Sequence, residues 1–360
     1  MAEIEKFMNV ALDDIEKIMN IAKGDIEKVM GLELPASVPA WQGPKGMSLG
    51  RQDSSNAKTA EVSYRTIATG GSNTSDAGNL INVIINATAV SNNTYGVTAN
   101  GVGSSGNADW SERVTIASNG TGMYFNSSAG RANGGGSAGG SNGTTGFMSC
   151  GGYAGGVVVT TEYITIGTSG SFASGGNLTA GRVSVSGVSN ANWCYIAGGY
   201  NGSNRVNTID RLQFTSPTTI ASDVGDLAVA INSHGASEDG SRGVILGGYD
   251  GDKTDTIQYF ATASGEDASD FGNCQGPLEY TDGCSNGTIA EMWGGDYHND
   301  AFGHANWENI YYITIASTGN ATDTGATVAA WDEADAHEAS WGTTETTRRG
   351  HAFASISGAA

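Results

Sequence analysis

The residues best suited to metal chemistry lie in one acidic, histidine-bearing stretch of the C-terminal third. It reads Asp296-Tyr297-His298-Asn299-Asp300, and His304 follows closely. Carboxylate and imidazole groups in one loop are typical ligands of divalent cations such as zinc. The stretch falls, however, where the other repeat units described below carry an ordinary loop between strands. We therefore predict no metal site, and the question that stays open concerns Asp296, His298, Asp300 and His304.

Three tryptophans outside the repeat pattern are candidates for contact with a ligand or a partner. They are Trp307, Trp331 and Trp341, all in the last repeat unit, whose connection is longer than those of the other units. Exposed aromatic rings stack on sugars and anchor partner proteins. The alternative is that these rings cover the junction where the fold ends. We predict a partner or glycan contact at these three residues.

Catalytic machinery is not evident in the sequence. Paired carboxylates for polysaccharide cleavage would have to come from residues such as Asp332, Glu333 and Asp335, which no repeat pattern singles out. There is no Gly-x-Ser-x-Gly turn, and the Gly-rich run 134–141 has neither the Lys nor the following helix of a phosphate-binding loop. We predict a protein that is not an enzyme and has no cofactor.

Composition excludes one class of partner. The chain has 360 residues, 55 of them Gly, and its 17 basic and 37 acidic residues give a net charge of −20. Binding of nucleic acid through phosphate neutralisation needs clustered Lys and Arg, which are absent beyond Arg348-Arg349. No apolar run approaches the roughly 20 residues that span a membrane, and the N-terminus is acidic rather than signal-like. We expect synthesis in the cytoplasm and no membrane insertion.

An internal repeat organises most of the chain. Apolar runs end in Gly pairs that begin at residues 151, 198, 247 and 294. A second strand follows in each unit, and it is clear six times: Val62–Ile67, Arg113–Ile116, Tyr163–Ile166, Thr208–Phe214, Thr256–Phe260 and Ile310–Ile315. These segments are rich in β-branched and aromatic residues, as strands are. The Gly pairs recur every 47 to 49 residues. Repetition at such a period is typical of propellers and arrays, so we predict six units over residues 46–360.

The first 34 residues carry a different repeat, of 11 residues. Ile-Glu-Lys recurs at residues 4, 15 and 26, and the apolar positions Ile4, Met8, Ile15, Met19, Ile26 and Met30 fit one helical face. We predict a short helical arm at 1–34 that packs on another chain or on a copy of itself. The alternative is that it folds back on its own globular part. Pro35, Pro39 and Pro44 make residues 35–45 a linker.

The two ends of the repeat region look like parts of one unit. Residues 337–355 echo residues 234–248, which predicts that the C-terminal segment supplies the first two strands of a unit. The missing last two strands then lie at about 60–80. Strands contributed by both ends would close a ring and remove exposed sheet edges.

The repeat resembles kelch-type β-propeller repeats over roughly residues 46–357. One whole unit is visible from Ser233-His234-Gly235 through Thr256-Ile257-Gln258-Tyr259-Phe260, although the Trp expected in the last strand is absent. The resemblance implies an all-β, kelch-like, six-bladed β-propeller. Some propellers of this kind are copper oxidases, but no matching pair of His accompanies the Cys residues here. Residues 314–323 and the arm are similar to segments of structural proteins from tailed bacteriophages.

These resemblances imply a non-enzymatic virion component, made in the host cytoplasm. The arm would attach it to other virion proteins, and the propeller would be displayed outward as a tail fibre, an appendage or a head decoration, in contact with a host surface glycan or protein. We expect a homo-oligomer. A glycan-binding propeller lectin is the alternative, and a polysaccharide-degrading enzyme ranks last. Four cysteines, at 150, 194, 274 and 284, read mainly as buried thiols, with a Cys274–Cys284 pairing left open.

Overall fold

The structure is a computed structural model. It describes residues 6–7, 10–11, 44–52, 58–84, 87–103, 106–118, 121–127, 137–149, 151, 156–168, 171–297, 309–328 and 355–358. The chain divides into two units, Met1–Ser37 and Val38–Ala360. Among the described residues, no helix is long and apolar enough to span a membrane.

The N-terminal unit does not confirm the predicted helical arm. Its described residues form two short strands, β1 (Lys6–Phe7) and β2 (Val10–Ala11), which pair antiparallel. The six apolar residues assigned to the face of the arm lie outside the described residues. The arm as a helix therefore stays a prediction.

The second unit consists of six antiparallel sheets, here called blades 1 to 6. Blade 1 begins with β3 (Lys45–Gln52), β4 (Lys58–Thr66) and β5 (Ser75–Asn79). Blade 2 contains β6 (Thr88–Ser91), β7 (Tyr95–Gly103), β8 (Gly106–Thr115) and β9 (Met123–Ser127). Blade 3 contains β10 (Ala138–Ser141), β11 (Thr145–Ser149), β12 (Thr161–Thr165) and β13 (Ala173–Ser174).

The remaining blades follow the same order from the inner to the outer strand. Blade 4 contains β14 (Ser186–Ser189), β15 (Trp193–Ala197), β16 (Thr208–Gln213) and β17 (Ser222–Asp226). Blade 5 contains β18 (Gly235–Glu238), β19 (Arg242–Leu246), β20 (Thr254–Ala261) and β21 (Ser269–Glu279). Blade 6 contains β22 (Asp282–Ser285), β23 (Ile289–Trp293), β25 (Asn309–Thr314) and β26 (Thr322–Thr327), while β24 (Asp296–Tyr297) extends blade 5. The last strand, β27 (Ser355–Gly358), returns to blade 1.

The blades form a closed ring. Each inner strand contacts the inner strand of the next blade, in the order β27, β6, β10, β14, β18, β22 and back to β27. Each of the six blade interfaces has its own apolar core, and these cores together are the hydrophobic interior of the protein. This confirms the predicted six-bladed propeller, and the six predicted second strands are the third strands of the blades, counted from the centre.

Blade 1 is divided between the chain ends differently from the prediction. The C-terminus supplies one strand, β27, and the N-terminal side supplies the other three, so the predicted two-plus-two division is wrong. Gly46 pairs with Arg65 just as Gly243 pairs with Phe260, which identifies β3 as a second strand. The signal was present in Lys45-Gly46-Met47, which matches Arg242-Gly243-Val244, but no Gly pair ends this strand.

Polar side chains at the hairpin between the first two strands repeat around the ring. In blades 2 to 6 an Asn or Asp oxygen accepts hydrogen bonds from backbone N–H groups two and three residues later; these residues are Asn92, Asn142, Asn190, Asp239 and Asn286. Such side-chain turns fix the register of a hairpin. The Ser just before the turn reaches the previous blade: Ser141 Oγ donates to Ser91 O at 2.6 Å, and Ser189 Oγ to Ser141 O at 2.9 Å.

The outer rim is also linked from blade to blade. On the fourth strand or just after it, a backbone carbonyl accepts from the turn of the next blade, as Asn177 O does from Ala221 N at 2.9 Å and Asn273 O from Ala321 N at 2.8 Å. The preceding Gly permits this approach, because a Cβ on Gly176 would lie 1.8 Å from Thr219 O. The Gly-Asn-Leu sequence at 176–178 and the Gly-Asp-Leu sequence at 225–227 therefore reflect contact between blades.

The seam between blades 6 and 1 differs from the other interfaces in chemistry. Arg65 on β4 meets Glu291 on β23, with Arg65 Nη2 3.3 Å from Glu291 Oε1, and both side chains are buried. Glu291 also accepts from Ala68 N at 2.8 Å and from Trp293 Nε1 at 2.8 Å. At the other interfaces the two equivalent positions are apolar, for example Tyr195 and Phe260, whose rings are 5.5 Å apart. Burial raises the pKa of Glu291, and its three partners oppose that rise.

We predict that Arg65 and Glu291 are energetically coupled. Arg65→Leu, which introduces the residue of the equivalent position in blade 4, should lower the free energy of unfolding by about 3 kcal/mol, because it leaves a buried carboxylate without its cation. The same change made in a Glu291→Gln background should cost at least about 1 kcal/mol less. Equilibrium denaturation of the four proteins of this cycle measures the coupling. Additive effects would show that the pair does not stabilise the seam.

Candidate functional site

One end of the ring carries the longer connections. Second and fourth strands run in the same direction, so the connections that follow them leave from the same end of each sheet, here called the loop end. In blades 4, 5 and 6 the connection after the second strand starts with a Gly pair of positive φ; Gly198 and Gly199 have φ of 60° and 107°. A Cβ on Gly199 would lie 2.8 Å from Val183 O. Glycine is the residue that such left-handed turns and close backbone approaches admit.

The loops that follow two of these turns are ordered by local hydrogen bonds. Tyr200 bridges to Val183 and Arg205, and Tyr249 bridges in the same way to Asn232 and Lys253. These bridges hold each tyrosine backbone against the connection that enters its own blade. Gly-Gly-Tyr thus carries a ring to the same place on blades 4 and 5.

A cation and an aromatic ring from neighbouring blades meet at the loop end. The guanidinium carbon of Arg205 lies 4.3 Å from the ring centroid of Tyr249. Beside them, Lys253 Nζ lies 3.7 Å from Glu279 Oε1 in a largely buried ion pair. We call Tyr200, Arg205, Tyr249, Lys253 and Glu279 the Tyr–Arg patch. Its aromatic faces and planar guanidinium can stack on a flat ligand and donate hydrogen bonds.

The buried charges deeper in the blades hold the connections in place. Glu112 accepts from Ile81 N at 2.6 Å and Asn82 N at 2.9 Å. Asp210, at the same repeat position in blade 4, accepts from Thr179 N at 3.0 Å and lies 3.1 Å from Arg182 Nη2.

Blade 5 repeats this arrangement with an amide. Gln258 accepts from Val229 N at 2.9 Å, so each of these three third-strand side chains fixes the connection that enters its blade. Sequence reasoning did not single them out. A strict alignment of the third strands would have done so, because Glu112, Glu162, Asp210 and Gln258 share one column.

His234 is a buried residue, with 5% of its surface exposed. It lies between the Gly pairs of blades 4 and 5, where a Cβ on Gly198 would be 2.8 Å from its Cε1. Burial lowers the pKa of His234 to about 4, against weaker opposing contributions from the backbone of Ala197 and Asn232. The imidazole is therefore neutral near pH 7.

The cysteines of the described chain are thiols. Cys194, Cys274 and Cys284 are free and buried, so the Cys274–Cys284 pairing left open by the sequence does not form. The reason is topological, since Cys274 lies on the fourth strand of blade 5 and Cys284 on the first strand of blade 6. Burial raises the pKa of both thiols, which keeps them protonated and unreactive.

Most of the site residues predicted from the sequence lie outside the described residues. These are Trp307, Trp331, Trp341, His298, Asp300, His304, Asp332, Glu333 and Asp335. Asp296 is described as part of β24, where its backbone pairs with Glu279. Within the described part of the chain, no group of three or more His, Cys, Asp or Glu residues could hold a metal ion.

We predict that His234 makes the protein less stable in mild acid. Its pKa is lower in the folded state than in the unfolded state, so the unfolded chain binds more protons and stability rises with pH across this window. Between about pH 7 and about pH 4 the wild type should lose about 3 kcal/mol through this group. His234→Val, which copies Val185 of blade 4, should lack that component. Unfolding free energies of both proteins across the range test this, and parallel pH profiles would contradict it.

Two comparisons with known proteins found no match for this chain. No protein-family model matches the chain, and no curated protein sequence matches it. The arrangement of six four-stranded blades is consistent with the kelch-type repeats that the sequence resembles.

Proposed function

We propose that this protein is a non-enzymatic structural component of a tailed-phage virion, located in the virion after synthesis in the host cytoplasm. Residues 1–45 attach it to other virion proteins and to copies of itself. The propeller is displayed outward as a tail fibre, an appendage or a head decoration, where it contacts a host surface glycan or protein. Neither nucleic acid binding nor membrane insertion is part of the proposal.

The use of buried charge is the observation that supports a structural role. In the described residues the ion pairs Arg65–Glu291, Arg182–Asp210 and Lys253–Glu279 each join separate segments of the ring. Charged groups with perturbed pKa in an open cleft would favour an enzyme instead. The 11-residue repeat and its resemblance to phage proteins support the attachment role, because an apolar helical face needs a partner to cover it.

The arm proposal predicts an assembly difference. The full chain should be a defined oligomer in solution, and a chain that starts at Pro44, one residue before β3, should stay folded but lose that oligomer because the apolar positions of the arm are gone. Sedimentation measures both masses. The shortened chain should also fail to enter virus particles. If the full and shortened chains have the same oligomeric state, or if the shortened chain enters virus particles normally, the attachment role is rejected.

Glycan binding at the loop end is a second candidate function. The Tyr–Arg patch favours it, since Arg205 stacks on Tyr249 at 4.3 Å and both side chains are partly exposed. Aromatic rings stack on sugars, and a guanidinium binds carboxylates or hydroxyls beside them. In this role the patch and the Trp-bearing segments of blade 6 would bind surface polysaccharide.

The glycan proposal is tested by binding of host surface polysaccharide to single variants. Tyr249→Ala, Trp331→Ala and Trp341→Ala should each weaken binding about tenfold or more, because each removes one stacking surface. The matched control is Tyr95→Ala, which removes a ring stacked under Arg113 at 4.3 Å at the opposite end of the ring. Equal losses in the control and the test variants, or no binding by the wild type, would reject a lectin role.

A further inference from the structure

Exposed apolar side chains concentrate at one point of the rim. The large apolar residues most exposed in the described chain are Ile81 (57%), Met123 (50%), Tyr124 (58%) and Ile220 (67%). Three of them, Ile81, Met123 and Tyr124, belong to the outer part of blade 2 and the connection that enters it. We call these three residues the blade-2 rim patch.

Hydrogen bonds place the members of this patch side by side. Ile81 N donates to Glu112 Oε2 at 2.6 Å, and Glu112 is the direct cross-strand partner of Tyr124. Gly122 N, just before Met123, donates to Asn79 O at 2.8 Å, and a Cβ on Gly122 would lie 2.9 Å from the Cα of Leu80. The start of β9 and the segment that contains Ile81 are therefore neighbours at the rim.

The other blades show what this position usually carries. In the same register, the fourth strand begins with Ser75-Asp76, Ser222-Asp223, Ser269-Asp270 and Thr322-Asp323 in blades 1, 4, 5 and 6. Blade 3 has Ala173-Ser174. Blade 2 alone has two large apolar residues, Met123-Tyr124, at these positions.

With Met123-Tyr124 at these positions, blade 2 lacks the charged residue that protects edge strands from pairing. An outer strand presents unpaired N–H and C=O groups, and a charged side chain on it prevents pairing with another chain. In blades 1 and 6 the Asp carboxylate also accepts from the following Gly N, at 2.6 Å for Asp76 and 2.7 Å for Asp323. In the described residues β9 pairs only with β8, so its outer edge has no strand partner. Blade 2 therefore combines an open edge with an uncharged, apolar rim.

We propose that the blade-2 rim patch is a self-association surface that binds the same patch of a second copy of this chain. Each copy has a net charge of −20, so copies repel each other wherever their acidic rims meet. The rim of blade 2 lacks this Asp and has large apolar side chains in its place, so two copies can approach closely there. One strand edge and one apolar patch are also self-complementary about a two-fold axis, as an isologous dimer requires.

The experiment is hydrogen exchange of the full chain at low and high protein concentration. The amides of β9 should exchange about tenfold or more slowly at high concentration, because pairing covers them, while those of β17 should not change. Met123→Ser combined with Tyr124→Asp, which copies the Ser-Asp of blade 4, should abolish the concentration dependence. If that protein does not fold, Ile81→Ser serves as the second variant. Ile220→Ser, on blade 4, is the control and should keep it.

Two results would overturn the proposal. One is exchange of β9 that is independent of concentration: fast exchange means a free edge, and slow exchange means cover by the chain's own residues. The other is concentration-dependent protection that survives in the patch variants. Assembly through the arm would persist in these variants without protecting β9, so the two interfaces succeed or fail independently.

Discussion

Closure of the ring is the constraint on which every other part of the propeller depends. Each blade is a small sheet whose two faces are apolar, and only a neighbour on each side buries both. Five interfaces join blades that follow one another in the chain, but the sixth must be made by the chain ends. At this sixth interface β27 pairs with β3, and the buried side chains of Arg65 and Glu291 form an ion pair. Removal of either partner of this buried ion pair would leave the other charge uncompensated.

Within the closed ring, polar groups set the position of the connections. The third-strand side chains Glu112, Asp210 and Gln258 accept backbone N–H groups of the entering segment, and the Asn and Asp turns hold the opposite ends of the blades. Loops supported in this way keep their side chains in fixed places. That is why Arg205 and Tyr249, from different blades, stack at the loop end.

The rim shows how repetition makes an exception visible. Acidic residues lie on the fourth strands of blades 1, 4, 5 and 6, and the repeat allows each position to be compared between blades. Met123 and Tyr124 depart from that pattern without any role in a blade core, because both are exposed. We interpret this difference at the surface as a sign of a partner. Glu291 also differs from the residues at equivalent positions, but it is buried and pairs with Arg65 at the seam.

By itself the sequence determined the all-β class, the number of blades, the third strands and the Gly-Gly turns, because alternation and glycine conformation are local properties that the repeat shows several times. Only the tertiary structure decided which segments meet. It showed that the C-terminal segment contributes one strand, β27, beside β3, where two strands were predicted. Pairing between chain ends depends on the register across the whole ring, which no local pattern gives. It separated Cys274 from Cys284 by giving them to different sheets. It also brought Arg65 to Glu291, a contact between opposite ends of the chain that no spacing along the sequence could indicate.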